Sequence, residues 1–169
     1  MKLIIITQND PFYLPSNLKF LLDNLPKTHK VVGVVVAPAS PFGKRETFLQ
    51  KALKTKRIFG LNFFLYYAFK FVFFKLFKTS LRNVLSKYNI PEIIISGSIN
   101  SKKNIDTIDS YKPDLLISIL GNQIFKKPLL EIAPKGCINL HTALLPKYRG
   151  LMPTFWVLRN NEKYTGVSV

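Results

Sequence analysis

Short apolar runs alternate with helical patterns along most of the chain. Leu3 to Thr7 is rich in Ile and closed by Gln8-Asn9-Asp10-Pro11, the pattern of a buried strand. Leu18, Leu21, Leu22 and Leu25 recur at helical spacing over residues 16–25, with Ser16 as a candidate N-cap and Pro26 as the stop. Val31 to Ala37 predicts a second buried strand, ended by Pro38. A strand, a helix and another strand of this kind form a βαβ unit with parallel pairing.

The alternation continues downstream. Leu81 to Tyr88 reads as a helix, Glu92 to Ser96 as a short strand, and Ile99 to Ser110 as a polar connection containing a short helix. Leu115 to Leu120 and Cys137 to His141 read as strands, with a short helix over Phe125 to Ile132 between them, and Thr165-Gly166-Val167-Ser168 begins a further strand. Strands that are apolar at nearly every position need cover on both faces. The pattern therefore predicts an α/β fold, a mainly parallel sheet with helices on both sides. Ligands of such sheets bind at the strand ends that carry polar groups.

Residues 57–78 depart from this scheme, as an apolar, basic helical insertion within a single domain spanning 1–169. As one continuous helix the segment places Arg57, Lys70, Lys75 and Lys78 within an arc of about 140°. Phe63, Phe64, Tyr67, Phe71 and Phe74 share that arc, so the helix is apolar all round. It can be buried in the domain or an oligomer interface, rest on lipid headgroups as a peripheral membrane contact, or span a bilayer. Lys70 and Lys75 near its middle weigh against spanning, because each costs about 2.5–3.5 kcal/mol at the bilayer centre.

Composition narrows the class. The chain has 169 residues, 47% of them hydrophobic, enough for a proper core. A single cysteine, Cys137, excludes a disulfide framework and a multi-cysteine metal site, and no metal is expected. The apolar run at the N-terminus is too short for a signal peptide, so a cytoplasmic protein is expected. The net charge of +16 invites nucleic acid as a partner. Against that, Lys outnumbers Arg 20 to 5 and the lysines are scattered instead of clustered.

The candidate chemistry lies in the stretch from Cys137 to Gly150. Asn139 and His141 are two positions apart at a strand end, where i and i+2 side chains share a face. An amide donor beside an imidazole suits work on a carbonyl, one group for a developing oxyanion and one to carry a proton. Pro146 forces Leu145 into an extended conformation, and Lys147, Arg149 and Gly150 complete a basic loop. Arg149 can hold an anionic part of a substrate or pair within its loop. Asn9 and Asp10 lie where an acceptor substrate could bind, or simply form a turn. Gly121 either ends its strand or lets the backbone approach a flat ring closely.

Cys137-Ile138-Asn139-Leu140-His141, Leu144-Leu145-Pro146, Tyr148-Arg149-Gly150, Pro153, Trp156 and Thr165-Gly166-Val167 together resemble the formyltransferase catalytic domain. The resemblance is sharpest from about Pro113 to Val169 and looser through the N-terminal half. It implies a Rossmann-like fold and transfer of a formyl group from formyl-tetrahydrofolate to a primary amine, with His141 moving the proton and Asn139 holding the oxyanion. It further implies a folate pocket lined by Leu120, Gly121, Asn122, Gln123, Ile124 and Leu145, and a cis Leu145-Pro146 bond. The acceptor first expected is an amino sugar or another small amine. Methionyl-tRNA is the alternative, and an inactive folate- or nucleotide-binding fragment, membrane-associated through residues 57–78, is the third reading. Position 143 is Ala where many members carry Ser. The family's third catalytic group, an aspartate beyond the Thr-Gly-Val strand, has no counterpart after Glu162, and is expected within about a dozen residues beyond Val169.

Overall fold

Runs of Ile, Val and Leu that alternate with helices can bury both faces only as the middle layer of a sandwich, and this chain folds that way. The computed structural model describes residues 1–37, 47–121 and 123–169, and Pro38 lies outside them. Five strands, β1 (Lys2–Gln8), β2 (Lys30–Ala37), β3 (Glu92–Ile94), β4 (Leu115–Ile119) and β5 (Cys137–Leu140), form one sheet. Their order is β3-β2-β1-β4-β5, with every pairing parallel. The helices are α1 (Leu14–Asp23), α2 (Phe48–Phe77), α3 (Leu81–Lys87), α4 (Lys102–Asp109), α5 (Lys127–Leu130) and α6 (Pro153–Arg159).

The two faces of the sheet hold separate cores. Leu3, Ile5, Val31 and Val34 pack against Leu14 and Leu18 of α1 and against Leu81, Val84 and Leu85 of α3. Ile4, Ile6, Val35 and Leu116 pack on the other face with Ile108 of α4 and Leu129 of α5. A β-bulge makes this division work. Leu3 pairs with Val31 but Ile4 pairs with Gly33, so one extra residue in β2 resets its in-and-out alternation. Gly33 leaves room there for the Ile93 side chain, whose Cδ1 would lie 2.6 Å from an added Cβ and would have to move.

Several predicted boundaries move for local reasons. Helix α1 starts at Leu14, ahead of Ser16, with Pro15 in its first turn. The Asp10 carboxylate accepts hydrogen bonds from the N–H groups of Phe12, Tyr13 and Leu14, while Ser16 only donates its hydroxyl to the Tyr13 carbonyl. Pro128 sets the start of α5, which is shorter than the apolar pattern suggests. Helix α6 was not predicted, although Pro153 in its first turn is the signal for it. The segment after Thr165 meets the sheet through one antiparallel bridge, His141 with Ser168.

The helical segment begins earlier than residue 57, where the apolar pattern predicts it. A capping box starts α2 at Phe48, with Thr47 and Gln50 exchanging side-chain and backbone hydrogen bonds. Inside it, Gly60 leaves the helical region at φ 81°, ψ 173°. Phe48 and Phe71 nevertheless have ring centroids 6.0 Å apart. A straight helix would separate them by about 35 Å at 1.5 Å per residue. The chain therefore turns back at Gly60, and α2 is a helical hairpin with limbs 48–59 and 61–77. The arc that joined Arg57 to Lys70, Lys75 and Lys78 does not exist, because it assumed one uninterrupted helix.

Candidate active site

The sheet grows from β1 in two directions: β2 and β3 on one side, β4 and β5 on the other. The crevice of such a fold opens between the carboxyl ends of the two strands that flank this reversal, here β1 and β4. Asn9 and Asp10 follow β1, residues 120–124 follow β4, Asn139 lies near the end of β5 and His141 directly follows it. The topology brings these three chain segments to one edge. Asn122 falls outside the described residues.

His141 is held through both its main chain and its ring. Its N–H donates to the Ser168 carbonyl at 2.8 Å and its carbonyl accepts from Ser168 N–H at 2.9 Å. The Ser168 hydroxyl donates to the Ala143 carbonyl and accepts from Leu145 N–H. The ring's Nε2 lies 3.0 Å from the Tyr148 carbonyl oxygen. A carbonyl can only accept, so Nε2 carries a proton, and in the tautomer this contact selects the lone pair lies on Nδ1. Asn139 sits opposite Ser118 in the β4–β5 register, exposed, and its amide makes no hydrogen bond among the described residues.

The loop that presents the Tyr148 carbonyl is sharply folded. Leu145-Pro146 is cis, and Tyr148 and Met152 adopt φ 54° and 52°, left-handed values costly for side chains of this size. Tyr148 donates its hydroxyl to Glu162 at 2.7 Å, and Lys147 pairs with the same carboxylate at 3.2 Å. These partners, Tyr148 first, hold Glu162 below the usual carboxylate range and raise the Tyr148 hydroxyl in return. A cavity of about 530 Å³ opens beside this loop, with Leu145, Tyr148, Val157 and Glu162 in its walls.

At the end of β4 the backbone is equally constrained. Leu120 adopts φ 57°, and a Cβ on Gly121 would meet the buried Ser118 hydroxyl at 2.6 Å. Gly121 thus has a packing reason of its own, in addition to opening the strand end.

Residues 76–169, more than half of the chain, match the formyl transferase family. The chain belongs to that family. Among its relatives is the methionyl-tRNA formyltransferase of Alkaliphilus oremlandii, 29% identical over 164 residues, which cover 97% of this chain and 43% of the relative. The bifunctional polymyxin resistance protein ArnA of Wigglesworthia glossinidia brevipalpis is 41% identical over 95 residues, 56% of this chain and 14% of that protein. The crystal structure of phosphoribosylglycinamide formyltransferase from Anaplasma phagocytophilum shares the fold, with a TM-score of 0.64 at 14% identity over 99% of this chain and 62% of that one. The chain spans about two-fifths of the length of these methionyl-tRNA formyltransferases.

Other candidate residues of this chain have defined places. Gln123 accepts from Ile99 N–H at 2.8 Å, so its side chain braces the 97–99 loop. Asn100 braces the next stretch, donating to the Ile124 carbonyl and accepting from Lys126 N–H. Leu145 is half exposed, and Ile124 presents 86% of its surface. Asp10 spends its carboxylate on the start of α1, which leaves Asn9 as the exposed polar group after β1. Arg149 is exposed and has no ion pair among the described residues. Asn100 and the buried Asn104, which donates to the Ser96 and Ser98 carbonyls, went unnoticed in the sequence. Polar residues within an apolar periodicity were the available signal.

Proposed function

We propose that this chain is the donor-binding, proton-handling part of an enzyme that moves a formyl group from formyl-tetrahydrofolate to a primary amine. The observation that carries the reading is His141, its main chain bridged to Ser168 and its Nε2 set against the Tyr148 carbonyl, with Nδ1 left as its base. Nδ1 accepts the proton that the attacking amine must lose, and the Asn139 amide donates to the carbonyl oxygen as it gains charge. The donor supplies an activated formyl group when bound. For its flat ring the chain offers an edge of suitable chemistry: a left-handed Leu120, a Gly121 without a side chain, and exposed apolar Ile124 and Leu145.

Methionyl-tRNA is the acceptor with the most support. The relatives that align over 97% or more of this chain include methionyl-tRNA formyltransferases, and a net charge of +16 suits a polyanionic partner. Arg149, exposed and without an ion pair among the described residues, is the group we assign to a tRNA phosphate. Calorimetry of the chain with formyl-tetrahydrofolate should detect binding that Gly121→Val removes. A gel shift with initiator tRNA should weaken steeply between 50 and 200 mM salt. Donor binding without any shift at low salt would transfer the acceptor role to an amino sugar or other small amine. Absence of donor binding would remove the formyl-transfer reading itself.

A further inference from the structure

The hairpin α2 is the largest feature that formyl transfer leaves unexplained. It precedes nearly all of the family match, which begins at residue 76. Fifteen large apolar side chains between Phe48 and Phe77 are exposed, Phe69 at 72% and Leu76 at 68% among them. Among the described residues, the second limb meets the domain along one aromatic seam. There Phe12 packs against Tyr67, Phe71 and Phe74, and Lys70 donates to the Tyr13 hydroxyl at 2.9 Å, its ammonium lying over the Phe12 and Tyr13 rings.

Charge identifies what covers the rest. Residues 48–77 carry six basic residues, and no Asp or Glu occurs anywhere from Thr47 to Pro91. A second copy of this chain would set one cationic hairpin against another. An anionic surface that also accepts aromatic and aliphatic side chains is complementary on both counts. The segment is long and apolar enough by composition to cross a membrane. The turn at Gly60 weighs against it, because limbs of 12 and 17 residues reach only about 18 and 26 Å, short of a hydrocarbon core about 30 Å thick.

We propose that the α2 hairpin seats this protein on the surface of a membrane containing anionic lipid, limbs lying in the headgroup layer and Lys and Arg at phosphate level. Exposed aromatic residues enter the acyl boundary, as in other interfacial helices. The second limb is held to the loop after β1, so the carboxyl edge of the sheet lies close to that surface. The proposal is independent of the reaction catalysed at that edge.

The test is flotation of the full chain with vesicles of neutral phosphatidylcholine, alone or with one-third phosphatidylglycerol. Binding is expected to the anionic vesicles, to fall with salt, and to be released by alkaline carbonate. Phe69→Glu and Leu76→Glu, both at exposed positions, should abolish it with unchanged circular dichroism. Lys75→Glu should weaken it several-fold, since one basic residue at an anionic surface contributes about fivefold in partitioning, the equivalent of about 1 kcal/mol. Equal binding to neutral vesicles, or resistance to carbonate, would overturn the surface reading. So would a dimer by light scattering that Phe69→Glu dissociates while vesicle binding is absent.

Discussion

Two regions of this chain leave apolar surface uncovered, and they do so differently. The β5–α6 edge exposes Ile138, Leu140, Phe155 and Trp156 beside Asn139 and His141, within the part matching the formyl transferase family. Its charges are mixed, and Glu162 is tied to Lys147 and Tyr148. The α2 hairpin exposes more apolar surface, carries cations alone, and precedes nearly all of the family match. Exposed hydrophobic surface therefore has no single meaning here. Next to polar groups at strand ends it fits the formyl-transfer site proposed above, and with unbalanced positive charge it fits the proposed membrane-docking surface.

The largest effects should separate the two regions at the chemical step. In the active enzyme, Asn139→Ala is expected to lower the turnover rate by about 10²–10³, the usual loss for one oxyanion donor. His141→Ala is expected to lower it by about 10²–10⁴. Phe69→Ala in the hairpin should leave turnover on a soluble acceptor unchanged, and a tenfold loss there would break the division. Stability comes next. Leu116→Ala, fully buried in β4, should cost about 2–5 kcal/mol in urea unfolding, whereas Phe69→Ala should stay within about 0.5 kcal/mol.

Two smaller effects sharpen the account of the chemical edge. Gly121→Ala should destabilise by about 1–3 kcal/mol through its clash with Ser118. Adding Ser118→Ala should recover part of that loss, and strict additivity would show that Ser118 is not the obstacle. Glu162 has its folded pKa depressed by Tyr148 and Lys147, so its contribution is present above the ordinary glutamate range and fades as pH falls through the lowered value. The melting temperatures of wild type and Glu162→Gln should differ at pH 7 and converge on acidification. The gap is expected to be small, because the pair is exposed. A gap that widens at low pH would reverse the assignment.

The parallel sheet was legible because β1, β2 and β4 are apolar at nearly every position, a pattern that only two-sided burial explains. The elements that were missed or displaced depend on contacts periodicity does not encode. Asp10 moves the start of α1 by capping it from four residues upstream, and Pro153 opens a helix whose face is half exposed. At the site, the i, i+2 spacing of Asn139 and His141 could be read directly. The partners that orient His141 could not, since Tyr148 and Ser168 reach it through backbone atoms. The hairpin was least legible, because a 100° projection carried through Gly60 assumes the continuity that Gly60 removes.

That glycine sets how this protein could relate to membranes over evolutionary time. Its φ and ψ fall in a region that essentially only glycine occupies. A side chain at position 60 would strain the turn and favour an unbroken helix, about 45 Å long for 30 residues. That length exceeds a bilayer core. One codon thus stands between a clasp that grips a membrane from outside and a rod long enough to pass through it.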